Sequence, residues 1–323
     1  MKRILITGAA GQIGSEIVPT LRRLFGNDNV VASNHITPLT NDVKNSGPST
    51  KIDVTKYDQI DTAIKRYKID TLYHLSSILS ALAETRRQLA YSVNIEGLYK
   101  ILEAANNNCL ERVIVPSSIG AFGSGTPKDP TPNDTVQKPN TIYGISKVFS
   151  ELMGNYYQEK MGLDVRGVRL PGVISWKTVP TAGTTDYAVD IFYGALRECR
   201  YTCFLSPNTR LPLMYMPDAI RSMIDIASAD IKKLKHHADF NVNSLSITPS
   251  ELGDAIKKRF PKFEMDYKID PLRQSIADSW PDSLDDTAAR QEWDWQPEYD
   301  LDSMVDDMLK NLKKKLRIEK TGG

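Results

Sequence analysis

In the first half of the chain, short apolar blocks of β-type alternate with stretches whose apolar residues recur at helical spacing. Arg3-Ile4-Leu5-Ile6 is one such block, followed by a glycine-rich turn. From Ile13 to Phe25, Ile17, Val18, Leu21 and Leu24 share one helical face, and Gly26-Asn27-Asp28 stops the pattern. Asn29-Val30-Val31-Ala32-Ser33 reads as a second strand. A polar, Pro-bearing loop covers about 37–50, and Lys51-Ile52-Asp53-Val54 reads as a short strand end. Residues 57–67 predict a helix, 70–75 a buried strand, 86–108 a long helix, and 112–115 a strand ending at Pro116-Ser117-Ser118. A helix over 141–161 is ended by Gly162, and a strand over 163–170 by Pro171-Gly172. Strands alternating with helices imply parallel pairing through right-handed crossovers, hence an α/β fold with a doubly wound parallel sheet.

Beyond Pro171 the rhythm degrades. Residues 174–187 are rich in Thr, Gly and Pro and read as a long loop. A helix over 187–200 follows, then a helix starting at Pro217 with Asp218 at a capping position. Phe240 to Asn243 reads as a strand, and Thr248-Pro249-Ser250-Glu251 as a helix start. The expected organisation is a nucleotide-binding domain over 1–172, to which segments near 212–245 return, and a smaller substrate lobe mainly over 173–323. The basic tail from Lys310 to Gly323 reads as a solvated helix end.

The run Thr7-Gly8-Ala9-Ala10-Gly11-Gln12-Ile13-Gly14 directly follows the first strand and opens a helix. In that context its glycines serve a tight turn, a close backbone approach to a pyrophosphate and close helix–strand packing. This is a dinucleotide site of Rossmann type. The acidic residue expected about 20 positions after the last glycine is Asn34. An asparagine can donate to and accept from ribose hydroxyls; as a bland alternative it is a strand-end turn residue. No Arg or Lys lies nearby to attract a 2′-phosphate, the nearest downstream being Lys44, so NAD is expected rather than NADP.

Ligands of such a sheet bind beyond the carboxyl ends of the strands. Ser117 and Ser118 fall there, and Tyr143 and Lys147 lie one turn apart at the start of the next helix. A phenol is a poor base at neutral pH. An ammonium one turn away and a cationic nicotinamide ring both favour its anion, and a serine hydroxyl can hold the reacting oxygen beside it. A second Tyr-x-x-x-Lys, Tyr156 with Lys160, lies at the far end of the same helix, and Tyr156 reads as packing.

Together these motifs, with Asp53-Val54, His74-Leu75-Ser76-Ser77, Asn94 with Gly97, and Arg169-Leu170-Pro171-Gly172, resemble the extended (UDP-galactose epimerase-like) short-chain dehydrogenases/reductases over almost the whole chain. Within them, three segments are similar to the L-threonine 3-dehydrogenases: Leu170 to Ser175, Gly183 to Ala188, and Ser279-Trp280-Pro281 with Trp293-x-Trp295. The resemblance implies Gly8, Gly11, Gln12, Ile13 and Gly14 at the pyrophosphate, Asn34 at the ribose, Asp53 and Val54 at adenine, and Leu75, Ser76 and Ser77 on the ribose side. Lys147 would hold the nicotinamide ribose, and the backbone after Pro171, as far as Ile174, the carboxamide. Asn94 would organise water near Lys147. Tyr143 would be the acid/base, and Ser118 or adjacent Ser117 the hydroxyl member. Ser80, Thr185 and Asp186, with Ser118 and Tyr143, would contact an amino-acid substrate.

The implied activity is NAD-dependent oxidation of the 3-hydroxyl of L-threonine to 2-amino-3-oxobutanoate. The alternatives are a nucleotide-sugar epimerase or dehydratase, with Arg197, Arg210 and Arg273 as cations for a diphosphate, and a non-catalytic NAD-sensing regulator. A homodimer through 86–108 and 141–161 is also expected, because Val93, Leu98, Leu102, Ile145, Phe149, Leu152 and Met153 place apolar residues on more than one helix face.

Composition works by exclusion. A net charge of +1 offers no footprint for nucleic acid or an anionic membrane. No apolar run reaches membrane-spanning length. Cys109, Cys199 and Cys203 form no metal-type pair and suit a reducing compartment. His35, His236 and His237 lack ligand spacing, so no metal is expected. The Lys232-Lys233-Leu234-Lys235 run reads as a solvated face, and Trp293 and Trp295 as core anchors of the C-terminal lobe. With a strand beginning by residue 3, the expected location is the cytoplasm, or the mitochondrial matrix if a transit peptide has been removed.

Overall fold

The computed structural model describes residues 1–179 and 183–316. Strand β1 (Ile4–Thr7) is buried along its whole length, so its apolar run is continuous rather than alternating, as helices on both faces of a parallel sheet require. After it come α1 (Gln12–Phe25), β2 (Val30–Asn34), α2 (Asn41–Asn45), β3 (Ser49–Lys51), α3 (Tyr57–Tyr67) and β4 (Thr71–His74). Then follow α4 (Ser80–Thr85), α5 (Arg87–Ala90), α6 (Leu98–Asn107), β5 (Arg112–Ile114), β6 (Ser117–Ser118) and α7 (Ile142–Tyr156). The chain continues through β7 (Val165–Arg166), β8 (Val168–Leu170), β9 (Gly172–Ile174), α8 (Tyr187–Glu198), β10 (Arg200–Cys203) and β11 (Leu211–Tyr215). It closes with α9 (Met216–Ser228), β12 (Phe240–Asn241), β13 (Leu245–Ile247), α10 (Pro249–Arg259), β14 (Glu264–Tyr267), α11 (Pro271–Asp278), α12 (Thr287–Trp293) and α13 (Leu301–Lys315).

The central sheet has six strands in the order β3-β2-β1-β4-β5-β7, all parallel. The order reverses between β1 and β4, so the loops leaving these two strands diverge and open a crevice at the carboxyl edge. Beyond it, β12-β8-β6 pair in parallel, and β9-β11 pair in parallel with β13 antiparallel on the other side of β11. Alternating residues of β1 feed opposite faces. Ile4 and Ile6 join a cluster with α1 and α9, whereas Leu5 joins one with α3 and α6. A third cluster gathers Tyr187, Phe192, Phe263, Trp280 and Met308.

Several elements depart from the sequence pattern. The strand expected over 163–170 is broken at Gly167, whose amide donates to His237 O at 2.9 Å. A Cβ there would overlap Val115 O and lie 2.7 Å from Ala238 O. The break sends β7 to the central sheet and β8 to β6 and β12. The strand expected over 51–54 lies earlier, at β3, because Asp53 turns the chain by accepting from the Thr55 N–H at 2.9 Å and the Thr55 hydroxyl at 2.7 Å. The long helix over 86–108 carries a π-helical segment, Tyr91–Gly97, between α5 and α6. Asp218 does not cap α9. Fully buried in its first turn, it accepts from the Glu298 N–H at 2.9 Å and the Tyr299 N–H at 3.1 Å, pinning a distant segment. Trp293 and Trp295 anchor the cluster that contains Ile4 and Ile17, not the C-terminal one. Tyr156 is exposed and its neighbour Tyr157 is the packing residue. The basic tail lies outside the described residues from position 317 on.

Candidate active site

The turn between β1 and α1 is shaped by what glycine lacks. Gly8 has φ +71°, and a Cβ on it would stand 2.7 Å from the Leu75 carbonyl carbon and the Ser76 nitrogen. A Cβ on Gly14 would overlap Gly8 O. Gly11 is the N-cap of α1 and brings no side chain to satisfy the first N–H groups, which are left for an anion over the helix end. This cradle, which any side chain would fill, fits the pyrophosphate of a dinucleotide.

The reactive side chains gather at the start of α7. Thr141 caps this helix by accepting from Gly144 N at 3.0 Å, which sets Tyr143 in the first turn. Tyr143 and Ser118 meet across a bare glycine. A Cβ on Gly120 would lie 3.1 Å from Tyr143 Cε1 and 3.6 Å from Ser118 Oγ. The Lys147 ammonium lies 5.4 Å from the Tyr143 ring centre and donates to Pro116 O at 2.8 Å.

The two adjacent serines have different partners. Ser117 is buried and donates its hydroxyl to Glu151. Glu151 is itself paired with buried Arg169 through bonds of 3.0 and 2.9 Å. Ser118 accepts from Gly120 N at 3.2 Å and keeps its hydroxyl hydrogen for the cleft.

One cleft of about 420 Å³ is lined by Gly8, Gly11, Gln12, Ile13, Gly14, Leu75 and Ser77 at its nucleotide end. Ser80, Ser117, Ser118, Tyr143, Lys147, Thr185 and Asp186 line the rest. Ser76 and Asn94 instead border a small adjoining cavity beside Lys147, of about 30 Å³, enough for a water. Asn94 is held by Ile78, accepting from its N–H at 2.8 Å and donating to its C=O at 3.0 Å. Asn34, Asp53 and Val54 do not line the cleft. Asn34 ends β2 and donates to Thr37 O at 2.8 Å, a contact of the strand-end turn that leaves its Oδ1 as an acceptor. Ile174 turns its side chain into the core; Gly172 and Val173 are the residues of β9 that line the cleft.

Leu79, Leu82 and Trp280, to which the sequence assigns no role, also line it. Trp280 carried a signal, the Ser279-Trp280-Pro281 motif; the apolar residues carried none.

Electrostatics separate the groups further. His74 shares a hydrogen bond of 2.8 Å with Thr7 Oγ1, and burial, with Lys147 adding, pushes its imidazole down to about 3. It is neutral at working pH. Asp186 accepts from Gly183 N at 2.8 Å. One turn on, burial and then Asp186 raise the Asp190 carboxyl, with Arg273 opposing.

The NAD dependent epimerase/dehydratase family model matches residues 4–242, and the chain belongs to that family. Its fold and cofactor cradle are those of NAD-linked oxidation–reduction chemistry. At the finer level the chain is similar to the solved L-threonine dehydrogenase of Clostridium difficile, with 48% identity, a TM-score of 0.96 and 98% of each chain covered. It is also similar to a monomeric L-threonine 3-dehydrogenase from a metagenome, with 39% identity and a TM-score of 0.92, over 97% of this chain and 99% of the other. An uncharacterized epimerase/dehydratase of Staphylococcus haemolyticus is 44% identical over 315 residues, covering 98% of this chain and 99% of that protein.

Proposed function

We propose that this protein is an L-threonine 3-dehydrogenase. The observation that carries the reading is that Ser80, Ser118, Tyr143, Thr185 and Asp186 share one cleft with the pyrophosphate turn. Ser118 holds the 3-hydroxyl oxygen, and the Tyr143 phenolate takes its proton. Lys147, fixed on Pro116 O, favours that phenolate electrostatically. NAD, when held by the Gly8–Gly14 turn, would supply the acceptor for the C3 hydride. What remains is the ketone of 2-amino-3-oxobutanoate. Hydroxyls and the Asp186 carboxylate suit a small zwitterion.

A nucleotide-sugar substrate fits less well. Arg210 is engaged with Glu251, Arg273 is stacked on Phe204 at 4.2 Å, Arg197 is stacked on Tyr193 at 5.0 Å, and none lines the cleft. A silent NAD sensor would have no use for the Tyr143–Ser118–Lys147 grouping.

NADH formation is followed with L-threonine, D-threonine, L-serine and a panel of UDP-hexoses. Turnover of L-threonine alone is expected, and Tyr143→Phe lowers kcat by about 10²–10⁴-fold while NAD binding stays within about twofold. A fully active Tyr143→Phe protein, or a wild type inert toward L-threonine, overturns the assignment.

The two-lobe division and a homodimer belong to the same proposal. Ile145 and Leu152 on α7 are 48% and 63% exposed, and Tyr99 on α6 and Tyr91 in the π-helical segment before it are exposed as well, though less so. Such faces favour pairing, although one similar enzyme is described as monomeric. A monomer mass by light scattering removes the dimer from the proposal.

A further inference from the structure

Glu16 is a carboxylate on the helix that follows the glycine turn, and it does not line the cleft. It lies two positions after Gly14 on α1, and its side chain is only 7% exposed. It faces neither the cleft nor solvent. It accepts the hydroxyl hydrogen of buried Ser175 and lies 3.3 Å from Lys177 Nζ. The same Ser175 Oγ accepts from the Lys177 N–H at 3.0 Å, so one hydroxyl bridges helix and backbone. From the other side, Lys315 of α13 donates to Trp176 O at 3.1 Å and Lys177 O at 2.7 Å.

Ser175 is the first residue after β9. At the other end of that strand Gly172 supports the substrate side of the cleft. A Cβ on Gly172 would stand 2.6 Å from Thr185 Cγ2, so Thr185 rests directly on the bare strand. Strand β9 is therefore a platform with Thr185 on its start and Glu16 holding its end. An apolar side chain at position 16 would pack without the desolvation cost that a buried carboxylate carries. What a carboxylate adds is direction.

We propose that Glu16 is a positioning residue: by fixing the end of β9 to the nucleotide-binding helix, it sets Thr185 and the cleft wall in register with the pyrophosphate turn. The inference rests on the threonine reading for its substrate, though not for its geometry.

Ser175→Ala and Glu16→Ala are compared with Glu16→Gln, whose amide oxygen still accepts from Ser175. Loss of register of this kind costs on the order of tenfold to a hundredfold. Ser175→Ala and Glu16→Ala are expected to raise KM for L-threonine about tenfold. Their kcat should change less than about threefold and NADH affinity, read by fluorescence, less than about twofold, the split that positioning without contact to the cofactor requires. Amide exchange at Asp186 and Ala188, which bond to Gly183 O and Thr185 O, should accelerate about tenfold in the enzyme without substrate, as a loosened segment opens more often. Glu16→Gln should restore all three readouts.

Unchanged KM and exchange in the alanine variants overturn the proposal. So does an NADH affinity that falls as far as KM rises, which would make Glu16 a support of α1 as a whole. If Glu16→Ala fails to fold, the smaller Ser175→Ala change decides alone. A wild type inert toward L-threonine sinks the functional reading, and the exchange comparison still tests the clamp.

Discussion

Ser117 and Ser118 differ by one position and by everything that surrounds them. Ser117 spends its hydroxyl on the buried Glu151–Arg169 pair, whereas Ser118 faces Tyr143 across Gly120. Ser118→Ala is therefore expected to cut kcat by about 10²–10³-fold, the usual loss of one donor to a reacting oxygen, with a stability loss of no more than about 1 kcal/mol from the missing acceptor for Gly120 N–H. Ser117→Ala should do the reverse, losing about 1–2 kcal/mol of stability while kcat stays within a few-fold. Thermal unfolding and NADH formation on both variants decide, and equal kcat losses would defeat the distinction. The pair was legible in the sequence and its division of labour was not, because the partner that separates the serines, Glu151, comes from another element. Asn34 shows the same limit, since its contact with Thr37 depends on a loop path that no motif records.

At the scale of elements, the glycine turn works as a contact between β1, α1 and β4. Alanine is the better helix former, favoured by roughly 0.5–1 kcal/mol over glycine inside a helix. At position 14 that preference should lose, because the Cβ would overlap Gly8 O. Gly14→Ala is expected to weaken NADH binding at least about tenfold and to lower stability, the overlap outweighing the propensity gain; tighter or unchanged binding by fluorescence titration would refute the packing argument. The elements themselves were largely readable, since apolar period and turn chemistry agreed from β1 to α7. Thr248-Pro249-Ser250-Glu251, read as a helix start, does begin α10, with Thr248 and Glu251 in a capping box through bonds of 3.2 and 2.7 Å. Other features were not readable, and two of them have a clear physical cause. The break at Gly167 arises from backbone oxygens of Val115 and Ala238 that approach from elsewhere. The π-helical turn at Tyr91–Gly97 keeps a helix-like pattern while shifting Asn94 toward Ile78.

For the molecule as a whole, acid should be destabilising through His74. Its imidazole titrates near 6.5 when unfolded. In the folded protein burial, with the Lys147 ammonium adding, holds it at about 3. Between these values the unfolded chain carries the extra proton, so the contribution is complete above about pH 6.5 and declines below it by up to about 1.4 kcal/mol per pH unit. His236 has the opposite sign. Burial works against its charge, but Glu292 and Asp134 together raise it. Its contribution is present at low pH and is lost as pH rises through the folded value. Urea unfolding at pH 7 and pH 5 should show a smaller acid loss for His74→Gln than for the wild type. Parallel losses would mean that His74 is not the titrating group.

The placement of Trp293 and Trp295 bears on how the chain is made. Both close the cluster that holds Ile4, Ile6 and Ile17, and Asp218 ties down the backbone at Glu298 and Tyr299 that follows them. A ribosome releases the first strand long before these tryptophans leave the exit tunnel. Until then the cluster around β1 and α1 lacks part of its own wall. Its final packing must wait until the chain has emerged past Tyr299, with apolar surface open in the interval. A chain cut ahead of Trp293 would make that interval permanent.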